Sequence, residues 1–241
     1  MVSLKTGHFI FFTLKIGDMI SIRFIISRLS LIIVLCSISA KVSAHVIVQE
    51  LEKMSAASAA WEYLKTGYQH ILPLGIDHIL FVLSLFLLSP RLKPVLSQAT
   101  AFTVAHSITL GLSMYHIINP PSHIVEPLIA LSILYVSLEN IISPRLKAAR
   151  IGIVFLFGLV HGMGFAGALG QLGLPQNAYL LSLVMFNTGV ELGQLTIIML
   201  AYFLLAKTFG EKPYYRKAIV IPVSAVIVCM AGIWTIERIL V

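Results

Sequence analysis

Long apolar runs alternate with short polar or proline-containing segments along most of the chain. Each run approaches the roughly 20 residues that an α-helix needs to cross the hydrocarbon core of a bilayer. Prolines mark several boundaries between the runs, as at Pro90, Pro144 and Pro213. We therefore predict an all-α fold, a polytopic transmembrane helix bundle with six spans at about 71–88, 98–118, 124–142, 151–170, 178–206 and 218–237.

The N-terminal residues 1–44 have the pattern of a Sec-type signal peptide. Two arginines precede an apolar run, which ends in the small-residue pattern Val42-Ser43-Ala44. We predict cleavage after Ala44, and a start at Met19 would give the leader an ordinary length. An uncleaved first transmembrane helix is the alternative interpretation.

Residues 45–70 separate this leader from the apolar runs. They are helix-prone, polar and mildly amphipathic, which predicts an outward-facing segment at the membrane surface. The six-helix transmembrane domain is then expected over residues 71–241.

The composition supports an integral membrane protein. Hydrophobic residues make up 58% of the 241-residue chain and charged residues 11%, whereas about a quarter of the residues in soluble domains are charged. The net charge of +7 comes from basic residues in short loops, without a basic cluster interleaved with aromatics, so we expect no nucleic-acid partner. Cys36 and Cys229 form neither a CxxC pair nor a disulfide framework.

The basic residues also predict the orientation in the membrane. They concentrate in three of the loops between spans, and the two intervening loops carry no Lys or Arg. By the positive-inside rule the basic loops are cytoplasmic. We therefore expect a multi-pass protein of the bacterial inner membrane with both mature termini on the periplasmic side.

Ionisable residues inside the predicted spans are the strongest functional signal, because such residues usually face the bundle interior or a wet cavity. Mixtures of histidine and carboxylate suit borderline divalent ions, so we predict an intramembrane site for Ni, Co, Zn or Fe. The candidate metal ligands are His70, Asp77, His78, His106, His161 and Glu191. Residues expected along a path or around the ligands are Glu126, Glu139, Asn187 and Gln194. A purely structural polar network is the alternative.

The spacing of the first three candidates predicts unequal roles. On one continuous helix Asp77 and His78 point about 100° apart, and both can line a broad cavity. His70 would lie two turns outward from Asp77, on nearly the same face. We therefore expect Asp77 and His78 to bind the ion directly and His70 to serve its access or a second site.

Five segments together carry a family resemblance: HILPLGIDHILF, FTVAHSITL, VEPLIALSILYVSLEN, FGLVHGMGFAGAL and FNTGVELGQL. They resemble the HupE/UreJ family of membrane proteins, named for hydrogenase and urease accessory proteins and generally regarded as nickel or cobalt permeases. The resemblance implies that His70, Asp77 and His78 form the family's His…Asp-His motif and that His106, His161 and Glu191 match its later polar positions. Nickel permeases of another family use a tighter His-x4-Asp-His signature, and here Leu72 occupies the position of that histidine.

Three functions are compatible with these residues. The first is a divalent-metal permease, nickel/cobalt-type, whose ion and bilayer are its partners. The second is an intramembrane metal-dependent hydrolase in which a bound metal activates water and Glu191 or Asp77 acts as general base. The third is a metal sensor or assembly partner that does not transport. Polar residues at several depths favour the permease, because a hydrolase needs only one site.

Overall fold

The structure, a computed structural model, describes residues 55–143, 145–172 and 178–240, and the regular secondary structure in these ranges is helical. The main helices are α1 (Ala56–Ile71), α2 (Ile76–Leu88), α3 (Leu92–Met114), α4 (Ser122–Ile142), α5 (Arg150–Leu172), α6 (Tyr179–Ala201) and α7 (Ile221–Leu240). A π-helical turn, Tyr202–Ala206, joins α6 to the short helix Lys207–Phe209, and another, Arg216–Val220, leads into α7. The all-α prediction is confirmed for these ranges, whereas the predicted signal peptide lies outside them.

Membrane-spanning character is clear for four helical segments. Leu92–Met114, Ser122–Ile142, Tyr179–Phe209 and Arg216–Leu240 are long and apolar enough to cross a bilayer. The pair α1 and α2 adds a fifth if it forms one broken span, and Arg150–Ala166 is a shorter apolar helix. These segments agree with the predicted runs to within a few residues at most ends. Among the unbroken helices the largest difference is in α3, which starts six residues before its predicted run because Pro94 is tolerated in the first turn of a helix.

The first predicted span differs most from expectation, because it is not one helix. α1 ends at Ile71 and α2 begins at Ile76, and their axes are bent by 67°. Pro73 has no amide hydrogen and disfavours helical geometry in the residue before it. Gly75 then lets the chain turn tightly, since a Cβ there would clash with the carbonyl oxygen of His70.

The helix before the break packs along one side of the bundle. α1 lies along α6 and buries Ala59, Tyr63, Gly67 and Ile71. The helix-prone segment predicted over 45–70 is thus helical from Ala56 onwards with one face against α6, residues 45–54 lie outside the described ranges, and its placement at the membrane surface stays a prediction. Its amphipathic pattern is that of a helix with one face against a neighbour.

α2 forms the centre of the bundle. Ten of its 13 residues, 78–87, are buried, because α3, α4, α6 and α7 all contact it. Around this core the helices pack in pairs, α3 with α5, α1 with α6 and α4 with α7. A helix that is apolar on all sides belongs at the core, and His78 is carried on it near the break.

A buried polar group centred on Arg150 contacts the C-terminal half of α2. The Arg150 side chain is 1% exposed and donates hydrogen bonds to Glu139 Oε2 at 2.9 Å, Asn140 Oδ1 at 3.1 Å and Gln98 Oε1 at 3.1 Å. The Asn140 amide donates to the backbone carbonyl of Ser84 on α2 at 2.8 Å. Arg150 thus joins α3, α4 and α5 and meets α2 through Ser84.

Arg216 stabilises the end of α4 beside this group. Its guanidinium donates to the backbone carbonyls of Asn140, Ile141 and Ser143 at 2.8–3.1 Å. The last carbonyls of a helix have no partner within the helix, so a cation there satisfies them and opposes the helix dipole.

Candidate metal centre

Three histidines from three helices meet next to the break between α1 and α2. One ring nitrogen each of His70, His78 and His106 lies within 4.8 Å of the others. The Nε2 atoms of all three are buried and have no hydrogen-bond partner. Ligands about 2.1 Å from a tetrahedral ion are separated by roughly 3.4 Å, so small rotations would close these nitrogens around one ion.

The break in the span is what brings His70 to this cluster. On a continuous helix His70 would lie roughly 12 Å along the axis from His78. With the bend, the centroids of the two rings are 4.7 Å apart. His70 lies in the last turn of α1, where the partial negative charge of the helix C-terminus favours a cation. Discontinuous helices of transporters place ion sites in the same way.

The hydrogen bonds of His106 leave its Nε2 available as a ligand. The Nδ1 atom of His106 lies 3.4 Å from Asn187 Oδ1, which can only accept, so Nδ1 carries the proton. The Asn187 amide nitrogen donates to the Leu183 carbonyl at 2.9 Å, which fixes the orientation of the side chain. A neutral imidazole protonated at Nδ1 presents an unprotonated Nε2. Asn187 thus has the orienting role that a metal-binding histidine usually requires.

His161 adds a fourth imidazole beside the three. Its ring centroid is 5.1 Å from that of His78, and the residue is 1% exposed. Ser132 donates its single hydroxyl hydrogen to the Ile129 carbonyl at 2.7 Å, so it accepts from His161 Nε2 at 2.9 Å. His161 Nδ1 is therefore unprotonated, and it is buried without a partner. His161 thus lies beside the three converging nitrogens without being one of them.

Aromatic rings enclose the cluster. Phe165 lies against His70 with centroids 3.7 Å apart and stacks on Phe186 at 5.1 Å. Phe102 lies 5.0 Å from His161 and 6.0 Å from His78. These apolar walls limit water and lower the local dielectric, so an ion there depends on its protein ligands for solvation.

α3 and α5 pack closely at the point where they carry His106 and His161. A Cβ on Gly162 would clash with the His106 carbonyl oxygen and the Thr109 hydroxyl. The glycine therefore allows the two helices to approach next to both histidines.

Gly162→Ala is expected to separate α3 from α5, to lower stability by about 1–3 kcal/mol and to weaken metal binding. Gly152→Ala is the matched control on the same helix, because a Cβ there meets no atom within 4 Å. Thermal unfolding and metal content of the two purified variants test this prediction. Equal unfolding temperatures for the two variants would contradict it.

Asp77 lies outside the three-histidine cluster. Its two carboxylate oxygens accept from Arg238 Nη2 at 2.8 and 3.2 Å, and both side chains are 24% exposed. Arg238 also donates to the Glu126 carbonyl at 3.3 Å and lies over the Trp234 ring. The ion pair therefore ties α2 to α7, with both carboxylate oxygens held by the same guanidinium nitrogen.

Glu191 also lies outside the three-histidine cluster. One of its carboxylate oxygens accepts from Thr100 at 3.2 Å, which links α6 to α3, and the other is buried without a partner. Of the expected path residues, Asn187 supports His106, Glu139 is paired with Arg150, and the Glu126 residue is exposed. Gln194 is fully buried, and neither atom of its amide has a hydrogen-bond partner.

Several residues of the site had no signal that sequence reasoning recognised. Ser132 lies within an apolar run and Arg238 near the end of one, and their partners lie 29 and 161 positions away. Pro73 and Gly75, in contrast, are breakers inside the first predicted span. They could have revealed the break that brings His70 to His78.

Comparison with known proteins assigns the family. The family model described as HupE / UreJ protein matches residues 43–238, which include the three histidines and most of the described helices. No curated protein and no solved structure shows significant similarity to the chain. The match covers more than half of the sequence and agrees with the resemblance of the five segments. The chain belongs to the HupE/UreJ family.

Proposed function

We propose that this chain is a divalent-metal permease of the bacterial inner membrane, nickel/cobalt-type, and that His70, His78 and His106 bind the ion as it crosses. The observation that carries the proposal is the meeting of three buried imidazole nitrogens at the break of a discontinuous helix. Imidazole suits Ni, Co, Zn and Fe, and membership of the HupE/UreJ family supports nickel or cobalt among them.

The topology of this proposal has six spans. α1 and α2 together form the first, broken span, and α5 is the fourth span. The first break then lies within the membrane, which is tolerated where irregular backbone is buried in protein or lines a cavity. The loops that carry Lys and Arg are cytoplasmic in this arrangement, and both mature ends face the periplasm.

The ligand set differs from the one that spacing on a continuous helix predicts. In this proposal His70 binds the ion directly. Asp77 forms an ion pair with Arg238 instead of binding the ion. His161 lies next to the three ligands. Three neutral imidazoles without a carboxylate bind the ion without adding negative charge. We expect this to favour release to the next site, since an ion must leave as well as arrive.

The hydrolase alternative has less support. A hydrolase would need a general base within hydrogen-bond reach of the metal-bound water. The carboxylates proposed for that role, Asp77 and Glu191, hydrogen bond to Arg238 and Thr100. Both contacts direct these groups to partners other than the histidines.

Transport is tested with the purified full chain in liposomes that contain a metal-sensitive dye. We expect entry of Ni²⁺ or Co²⁺ that is absent from empty liposomes. Equal flux in empty liposomes would contradict the proposal.

A further inference from the structure

An open groove lies between α3 and α6, next to the metal centre. Seven residues line it, and five of them carry side-chain oxygen atoms: Thr103, Ser107, Asn187, Thr188 and Glu191. None of the seven is Lys or Arg. Such a concentration of oxygen is unusual on helices that cross a membrane, because lipid chains cannot satisfy it.

Two oxygens at this groove are buried and have no hydrogen-bond partner. They are Thr103 Oγ1, on a residue that is 8% exposed, and Glu191 Oε2. The other Glu191 oxygen accepts from Thr100. Ser107 and Thr188 donate their hydroxyl hydrogens to backbone carbonyls of their own helices. Their lone pairs remain available, so the groove offers acceptors and lacks a positively charged side chain.

The depth of Glu191 makes a cation the fitting occupant. Glu191 lies roughly 18 Å along α6 from Tyr179 at 1.5 Å per residue, near the middle of a hydrocarbon core about 30 Å thick. A carboxylate at that depth needs a compensating charge or water. Carboxylate, hydroxyl and amide oxygens together are the ligands of partly hydrated divalent ions.

Asn187 connects the groove to the histidines. It lines the groove and accepts the hydrogen bond from His106 Nδ1. Glu191 follows it by one turn of α6, a rise of roughly 6 Å. An ion in the groove is therefore separated from the three-histidine cluster by little more than the His106 ring and the Asn187 amide.

We propose that this groove is a second cation site, lined by oxygen, that holds a partly hydrated divalent ion next to the three-histidine centre. The inference rests on the proposed function, because it supplies the ion that the histidines bind. The two sites differ in chemistry. Oxygen ligands accept hard ions that keep water, whereas imidazoles select borderline ions after water is lost.

Mn²⁺ is the probe for the groove, since it binds oxygen ligands well and its free form is quantified by electron paramagnetic resonance. We expect the full-length wild-type protein in detergent to bind Mn²⁺ at this site. Glu191→Gln should weaken that binding roughly tenfold or more, because hard cations depend on carboxylate ligands. Thr103→Val, which removes a hydroxyl at nearly constant volume, should weaken it severalfold. The matched control is Glu237→Gln, an exposed carboxylate on α7, and it should bind like the wild type.

The same variants separate this inference from the proposed function. His78→Ala should lose Ni²⁺ and Co²⁺ and keep the Mn²⁺ site, whereas Glu191→Gln should lose Mn²⁺ and keep Ni²⁺ and Co²⁺. If Glu191→Gln and Thr103→Val both fold and bind Mn²⁺ with wild-type affinity, the groove is not a cation site and the inference is wrong. That result would leave the three-histidine centre intact, while retention of Ni²⁺ by His78→Ala would overturn the centre and not the groove.

Discussion

His70→Ala, His78→Ala and His106→Ala are each expected to abolish measurable Ni²⁺ and Co²⁺ binding, with a loss of affinity of at least about 100-fold. Residues that only orient a ligand contribute about 10–100-fold, and a ligand itself should contribute more. Each histidine supplies one of three converging nitrogens, so its removal leaves two. Metal content by mass spectrometry and equilibrium binding on folded protein measure the effect.

Two controls accompany these variants. His123→Ala removes an exposed imidazole at the start of α4 and should bind like the wild type. Asp77→Asn should retain most of the metal affinity, although it loses the pair with Arg238 and with it some stability. A larger loss of metal affinity in His70→Ala than in Asp77→Asn reverses the expectation from sequence spacing, in which Asp77 is a ligand and His70 is accessory. Loss of metal in Asp77→Asn with retention in His70→Ala would restore the sequence-based order.

Arg150→Met is expected to lower the free energy of unfolding by about 3–5 kcal/mol, the usual cost of breaking a buried ion pair by removing one partner. The guanidinium is 1% exposed and satisfies Glu139, Asn140 and Gln98 at once. Its loss leaves the Glu139 carboxylate without a counterion in a residue that is largely buried. Unfolding of the purified protein in detergent, followed by circular dichroism, measures the change.

The double variant Arg150→Met with Glu139→Gln tests the cause. It removes the uncompensated charge and should recover a large part of the lost stability. Arg145→Met is the surface control, because Arg145 is exposed in the same loop region, and its effect should stay within about 0.5 kcal/mol. If Arg150→Met unfolds like Arg145→Met, the buried network does not stabilise the bundle.

These two predictions concern the N-terminal and the C-terminal halves of α2. The three histidines lie by its first turn, and the Arg150 group meets its backbone at Ser84. Because α2 is buried along most of its length, we expect the Arg150 group to hold it rigidly while its N-terminal end carries His78. Loss of Arg150 should therefore reduce stability more than it reduces metal affinity.

Most helices of the fold were predictable because the apolar runs that indicate them are contiguous stretches of sequence. Apolar runs of bilayer length determine where a membrane helix lies, and α4, α5 and α7 begin and end within three residues of their predicted runs. The family was predictable for the same reason, since the matching segments are contiguous pieces of sequence. The buried state of His78, His106 and His161 also agrees with the rule that ionisable residues in spans face the interior.

The composition of the cluster was decided by tertiary structure. Spacing along one helix places His70 two turns from Asp77, but the break at Pro73 and Gly75 turns it towards His78. The partner of Asp77 is 161 positions away on α7, and no local pattern records that distance. Periodicity identifies which residues share a helix face, whereas contacts between helices depend on bends and packing over the whole chain. For that reason the sequence alone determined the helices, the family and the list of candidate ligands, and only the folded bundle selected which candidates meet.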